Sequence, residues 1–402
     1  MSSPIHIVLV TISYSLQHNS PYVKLFRQNL LLEKQSPSVI LISIKKEVGS
    51  MEEKVFRKHV SWVMFLYSIL VVWAHSFNAD LFSKGSESPL WKSLTKAQQV
   101  FSTEIATSAV AGFFMLSSYL FFRNFTWDKL AGKWKSRFFS VVMPYAAWNL
   151  LYYGGYALAS RVPFLQRGIG RDVVPITGYE LFEAVFHYRY APVFWYLYQL
   201  IILILLSPII YLLVKNRITG LVTLCLLLLA VHFRFDTQHP NTDALLYYTF
   251  AAWMAFHGRE PVEFRYGKKR LLAGVLSLIL LFSCFVQAHK QGAGVLWTVG
   301  YRFFIPVSVW LLFDGRYACD IRPWMRQSLF LYAVHFPIVR LVNKGTAALL
   351  GSFAKETAMA AASLIVYAIL PMIVVAISYR IARFLGKYAP AVWRLLSGGR
   401  SL

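Results

Sequence analysis

The sequence predicts an all-α protein: a polytopic transmembrane helical bundle of about ten spans, with both termini cytoplasmic. Three observations predict it. Hydrophobic residues fill 57% of the 402 positions and charged residues only 15%, where an ordinary soluble domain carries about a quarter. Ten runs approach the roughly 20 mostly apolar residues that a helix needs to cross a bilayer. The 41 Lys and Arg, against 18 Asp and Glu, concentrate in alternate connections, as the positive-inside rule requires.

The runs lie at roughly 60–78, 105–122, 138–158, 193–214, 217–233, 243–258, 270–288, 295–313, 328–347 and 357–380. The first ends on His75, in "ILVVWAHSF". The second starts at Glu104 and carries the small pair Ser117 and Ser118. The third follows Arg137 in "KSRFFSVVMPYAAWNLLYY". There Pro144 interrupts the helical ladder and frees carbonyls, while Tyr145 and Asn149, four apart, share a face. A polar stripe beside a kink is expected to face a cavity. The fourth opens with Trp195 and Tyr196, the fifth is leucine-rich and the sixth is short. The eighth bears Arg302 in "YRFFIP". The ninth, "SLFLYAVHFPIV", holds His335 about 10 Å along from Ser328 at ~1.5 Å per residue. The tenth leads into a basic tail.

With residue 58 inside, the connections 123–137, 215–217, 257–270, 314–326 and 380–402 hold 5, 2, 5, 3 and 5 Lys or Arg. Together they outweigh the outer connections. The basic balance therefore reads as membrane sorting, and without a basic helix or a base-stacking motif nucleic acid is not an expected partner. Cys225, Cys284 and Cys319 are dispersed and lack metal-ligand spacing, so no metal is expected.

Residues 1–50 stand apart. "IHIVLVTISY" is too short to span and lacks the basic flank and cleavage site of a signal peptide. "KKEVGSM" is encodable by a purine-rich stretch resembling a bacterial ribosome-binding sequence just before the Met51 codon. We therefore expect an N-terminal extension over 1–50, read from upstream DNA, and a membrane domain over 51–402.

Ionisable groups inside a membrane are costly, which makes them functional candidates. His75, His335 and Arg302 are the main ones. Their segments also resemble, in order, those of the integral membrane acyltransferase 3 family. "ILVVWAHS" is similar to the family's first-helix segment ending in the active histidine. "GFFMLSSYLFF", "KSRFFSVVMPYAAWN", "FWYLYQLIILILLSPII" and "SLFLYAVHFPI" are similar to later family segments, as is the tail "LLSGGR". The chain departs from the pattern at Met64, where many members carry an arginine, at Ser117–Ser118 for Ser-Gly, and at Tyr198–Gln199 for Arg-Asp.

The resemblance implies an O-acyltransferase of the bacterial cytoplasmic membrane, acting on an extracytoplasmic glycan or lipid-linked saccharide. Acetyl-CoA or another acyl-CoA would be co-substrate, with no permanently bound cofactor. It places His75 as general base or acyl carrier and His335 as a second proton handler or a donor to the thioester carbonyl, since neutral imidazole suits a hydroxyl nucleophile. Ser117, Tyr145 and Arg302 are the expected oxyanion donors, with Asn149 beside Tyr145. Trp195 and Tyr196 are expected against the sugar. Arg123, Lys133, Lys135 and Arg137 are expected on the donor phosphates, where Arg forks bind best. The competing reading is a transporter or flippase without covalent chemistry, but the chain shows no inverted repeat and no matched pair of broken spans.

Overall fold

The computed structural model describes residues 52–263, 266–351 and 355–400, and among them every regular element is a helix. The expectation for residues 1–50 lies outside the described residues. The helices below belong to one unit, Glu53–Val262 with Tyr266–Leu402.

In chain order the elements are α1 (Glu53–Ala74), α2 (Ala79–Ser83) and α3 (Pro89–Gln99). A π-helical stretch (Val100–Ile105) and a 3₁₀ turn (Ala106–Ser108) carry α3 into α4 (Ala109–Phe122). Then follow α5 (Leu130–Arg137), a second π stretch (Phe138–Val142), α6 (Met143–Ala159), α7 (Pro163–Ile169) and α8 (Gly178–Phe186). The second half holds α9 (Trp195–Leu205), α10 (Ser207–Val214), α11 (Arg217–His232), α12 (Thr242–His257), α13 (Arg259–Val262), α14 (Lys268–Ala288) and α15 (Val295–Leu312). Last come α16 (Ser328–Leu350), α17 (Glu356–Tyr388) and α18 (Pro390–Ser397).

Each of the ten apolar runs is helical. Five stretches are long and apolar enough to cross a membrane: Glu53–Ser83, Pro89–Phe122, Lys268–Ala288, Val295–Leu312 and Glu356–Tyr388. The pair Pro192–Leu205 and Ser207–Val214, bent by 61°, makes a sixth if counted as one span. The remaining runs fall short for local reasons. The helices α11 and α12 are each 16 residues long. In α16 the apolar run is interrupted by His335, Arg340, Asn343 and Lys344.

The first helix is the hub, because its apolar residues go all round and must be buried on several sides. Phe65, Ile69 and Val72 pack with Leu331 and Val339 of α16 and with Leu370, Val374 and Val375 of α17. On another side Val63, Tyr67 and Val71 meet Ala109, Val309 and Tyr332. Gly112 of α4 is required there: a Cβ would lie 2.5 Å from the Tyr67 ring and 2.8 Å from Pro306.

Prolines inside two helices free carbonyls four residues back, and aromatic donors from other helices take them up. Pro337 leaves the Ala333 carbonyl open, and the Tyr152 hydroxyl donates to it at 2.8 Å. Pro371 leaves that of Tyr367, and the Trp73 indole N–H donates to it at 3.0 Å. Each kink is thus tied to a neighbouring helix rather than left to the lipid.

Candidate active site

His75 follows the last residue of α1, its backbone N–H donating to the Val72 carbonyl at 3.1 Å. Its half-buried ring lies 5.1 Å from that of His335, centroid to centroid, tilted by 46°, and edge-on to Phe336 at 5.4 Å. Among the described residues the His75 ring has no hydrogen-bond partner, so both nitrogens are free for a ligand. His335 is fully buried. Its Nδ1 stands 2.5 Å from the Tyr332 carbonyl oxygen. A carbonyl only accepts, so Nδ1 carries the hydrogen and neutral His335 keeps its lone pair on Nε2. That Nε2 is buried and has no partner.

The turn after His75 is held by a buried polar network. The Gln98 side-chain oxygen accepts from the main-chain N–H groups of Asn78 and Ala79, both at 3.1 Å. Its amide donates to the Asn78 side-chain oxygen and to Ser363 Oγ. Asn343, two turns beyond His335 on α16, receives the Asn78 amide at 3.2 Å and donates to the Ser76 carbonyl at 3.3 Å. One set of side chains therefore joins the segment bearing His75 to the helix bearing His335. Sequence reasoning missed Asn78, Gln98, Asn343 and Ser363. The available signal was Asn343 within an apolar run.

A cavity of about 110 Å³ has walls that include Met64, Ser117, Arg137, Tyr196, Tyr332 and Arg400, and neither histidine lines it. Tyr332 belongs to both places, since its ring lies 5.7 Å from that of His335. Arg137 and Arg400 supply two guanidinium groups to the cavity, and among the described residues neither has an acidic partner. Burial and the neighbouring Arg137 push the Arg400 guanidinium down to about 10. Sequence reasoning missed Arg400, which arrives from the tail.

The structure therefore brings together His75 with His335, and separately Ser117, Tyr196 and Arg137 around the cavity that Tyr332 also lines. The other expected residues sit elsewhere. The Tyr145 hydroxyl donates to the Val185 carbonyl at 2.7 Å. Asn149 is buried, its amide donating to the Tyr145 carbonyl at 2.9 Å while Oδ1 has no partner. Trp195 is exposed, apart from its neighbour Tyr196. Arg302 lies on α15 beside Tyr301, whose hydroxyl donates to Glu104, and it does not line the cavity. Arg123 pairs with Glu53 at 2.8 Å, and Lys133 donates to the Phe121 carbonyl at 2.5 Å. Lys135 is exposed. Among the residues at which the chain departs from the acyltransferase pattern, Gln199 accepts from Asn241 N–H at 3.0 Å and donates to the Gln238 carbonyl at 2.8 Å. Among the described residues no three His, Cys, Asp or Glu converge as metal ligands.

A family model described as an acyltransferase domain matches residues 62–383, from within α1 to near the end of α17. No curated protein and no solved structure matches the chain.

Proposed function

The chain belongs to the acyltransferase 3 family, and on that premise we propose that it is an O-acyltransferase of the bacterial cytoplasmic membrane. In this reading it moves an acetyl or related acyl group from cytosolic acyl-CoA to a hydroxyl of an extracytoplasmic glycan or lipid-linked saccharide. The observation that carries the reading is the pair of imidazoles, His75 with both ring nitrogens free and His335 with an unpartnered Nε2 among the described residues.

The chemistry needs a proton acceptor, because a sugar hydroxyl is a weak nucleophile at neutral pH. The hydroxyl oxygen attacks the thioester carbonyl carbon as a His75 ring nitrogen takes its proton, a contribution of about 10²–10⁴ in rate. The carbonyl oxygen becomes an oxyanion. A hydrogen-bond donor to that oxyanion is typically worth about 2.7–4 kcal/mol; of the three expected donors Ser117 alone lines the cavity, whose walls include neither histidine. The C–S bond then breaks, and the departing thiolate recovers the proton from the imidazolium. The products are an ester and free CoA thiol. Neutral His335 accepts at Nε2 and does not donate from it, so its place is to share the proton on His75.

The test is thiol release by the purified protein given acetyl-CoA and membrane glycan. His75→Ala is expected to abolish it. Equal release by wild type, His75→Ala and His335→Ala would remove the histidine pair from the reaction.

A further inference from the structure

We propose that the C-terminal tail builds the phosphate site of the donor: Arg383, Lys387, Arg394 and Arg400 hold the polyphosphate of a nucleotide thioester, whose acyl arm then enters the inner cavity past Arg400. This rests on the acyl-CoA reading above and names where that donor is anchored.

The end of α17, α18 and the tail form an open surface hollow of about 600 Å³ lined by Tyr379, Arg383, Lys387, Arg394 and Arg400. Four of these residues are cations and none is acidic. Among the described residues none of the four has a carboxylate partner. Arg383 lies over the Tyr379 ring and Lys387 over that of Tyr388. Four like charges converging on one hollow repel one another until an anion enters, and planar guanidinium forks match phosphate oxygens.

Arg400 also lines the inner cavity with Arg137, Ser117 and Tyr332. It is the wall common to both spaces. From Ser328, at the inner cavity, to His335 is about 10 Å along α16 at ~1.5 Å per residue. A ligand held by its phosphates outside, with a flexible chain leading inward, is thus directed past Tyr332 toward the histidine pair.

The tail is docked, not loose. The Trp148 indole donates to the Leu396 carbonyl at 3.0 Å, and Trp393 packs on Phe330 with centroids 5.1 Å apart. Gly398 adopts φ +67°, and a Cβ there would lie 2.5 Å from the Ser140 carbonyl oxygen. Arg400 then spends one N–H on the Ser397 carbonyl at 2.9 Å, leaving its remaining donors for a ligand. Arg394, Arg400 and all of α18 lie beyond the residues that the family model matches.

Phosphate groups at this end of a membrane bundle come from soluble nucleotides or from anionic lipid headgroups, and the test separates them. Full-length protein in phospholipid-free detergent is titrated calorimetrically with CoA and with adenosine 3′,5′-bisphosphate. Arg394→Gln and Lys387→Gln, both at exposed positions that tolerate the change, should each weaken CoA about tenfold. They should raise KM for acetyl-CoA while leaving turnover of S-acetylpantetheine, which lacks the phosphates, at the wild-type level. Wild type and variants binding CoA equally would overturn this site and leave the acyl-CoA reading standing. A wild type that neither binds nor consumes CoA would overturn both. Loss of binding to anionic phospholipid vesicles with CoA affinity intact would assign the hollow to lipid and overturn the proposal.

Discussion

The imidazoles of His75 and His335 lie 5.1 Å apart, centroid to centroid, although one closes the first membrane helix and the other sits in the ninth predicted span. One ring is half-buried and, among the described residues, free of hydrogen-bond partners. The other is fully buried and fixed by its own Tyr332 carbonyl. A half-buried imidazole backed by a buried one fits the proposed transfer of a proton in a water-poor place.

Replacing either ring should therefore affect turnover more than binding. His75→Ala is expected to lower kcat by about 10²–10⁴, with KM for acyl-CoA near the wild-type value. His335→Gln removes the Nε2 lone pair and should also lower kcat, by about 10² or more. Steady-state thiol release reads both, and a wild-type kcat in His335→Gln would exclude it from proton transfer.

The Gln98 network should matter for stability as well as for placing His75. Gln98→Ala strips the acceptor from two buried main-chain N–H groups, those of Asn78 and Ala79, and each orphaned group costs about 1–3 kcal/mol. We expect a lowered thermal midpoint in detergent and a reduced kcat. A variant melting with wild type would mean that the turn after His75 is held by other contacts.

The link between Tyr152 and the Pro337 kink predicts a non-additive pair. Tyr152→Phe removes the hydroxyl that serves the open Ala333 carbonyl and should destabilise by about 1 kcal/mol. In a Pro337→Ala background residue 337 regains an N–H for that carbonyl, so the same Tyr152→Phe change should cost much less. A double-mutant cycle on unfolding midpoints measures the coupling, and simple additivity would contradict it.

Gly398→Ala should lift the tail. A non-glycine residue in the left-handed region costs roughly 1–2 kcal/mol, and the added Cβ would collide with the Ser140 carbonyl. Tryptic cleavage after Arg394 should accelerate, and KM for acetyl-CoA should rise with it. Cleavage at the wild-type rate would show that the tail tolerates a side chain there.

Much of the bundle could be read along the chain, because apolarity is a local property that sums over a window. All ten apolar runs are helical, yet only five stretches, or six with the bent pair, have the length and apolarity to cross a membrane unaided. A helix such as α16 takes its place through packing on α1 and α17, even though it carries His335, Asn343 and Lys344. His75, His335, Ser117, Tyr196 and Arg137 were nameable because each is a polar or aromatic residue in a motif-like setting. Which cations serve a ligand was not nameable. Arg123 and Lys133 neighbour Arg137 in sequence, but one is taken by Glu53 and the other by the Phe121 carbonyl.

By itself, then, the sequence determined that this is a helical membrane protein of the acyltransferase 3 kind with a histidine in each of two apolar runs. Only the tertiary structure decided that those imidazoles meet, that Gln98 and Asn343 hold the turn between them, and that Arg400 joins Arg137 in one cavity. The reason is that burial follows from a residue's own chemistry. A hydrogen bond or an unpaired charge is defined by a partner, or its lack, on a helix hundreds of residues away.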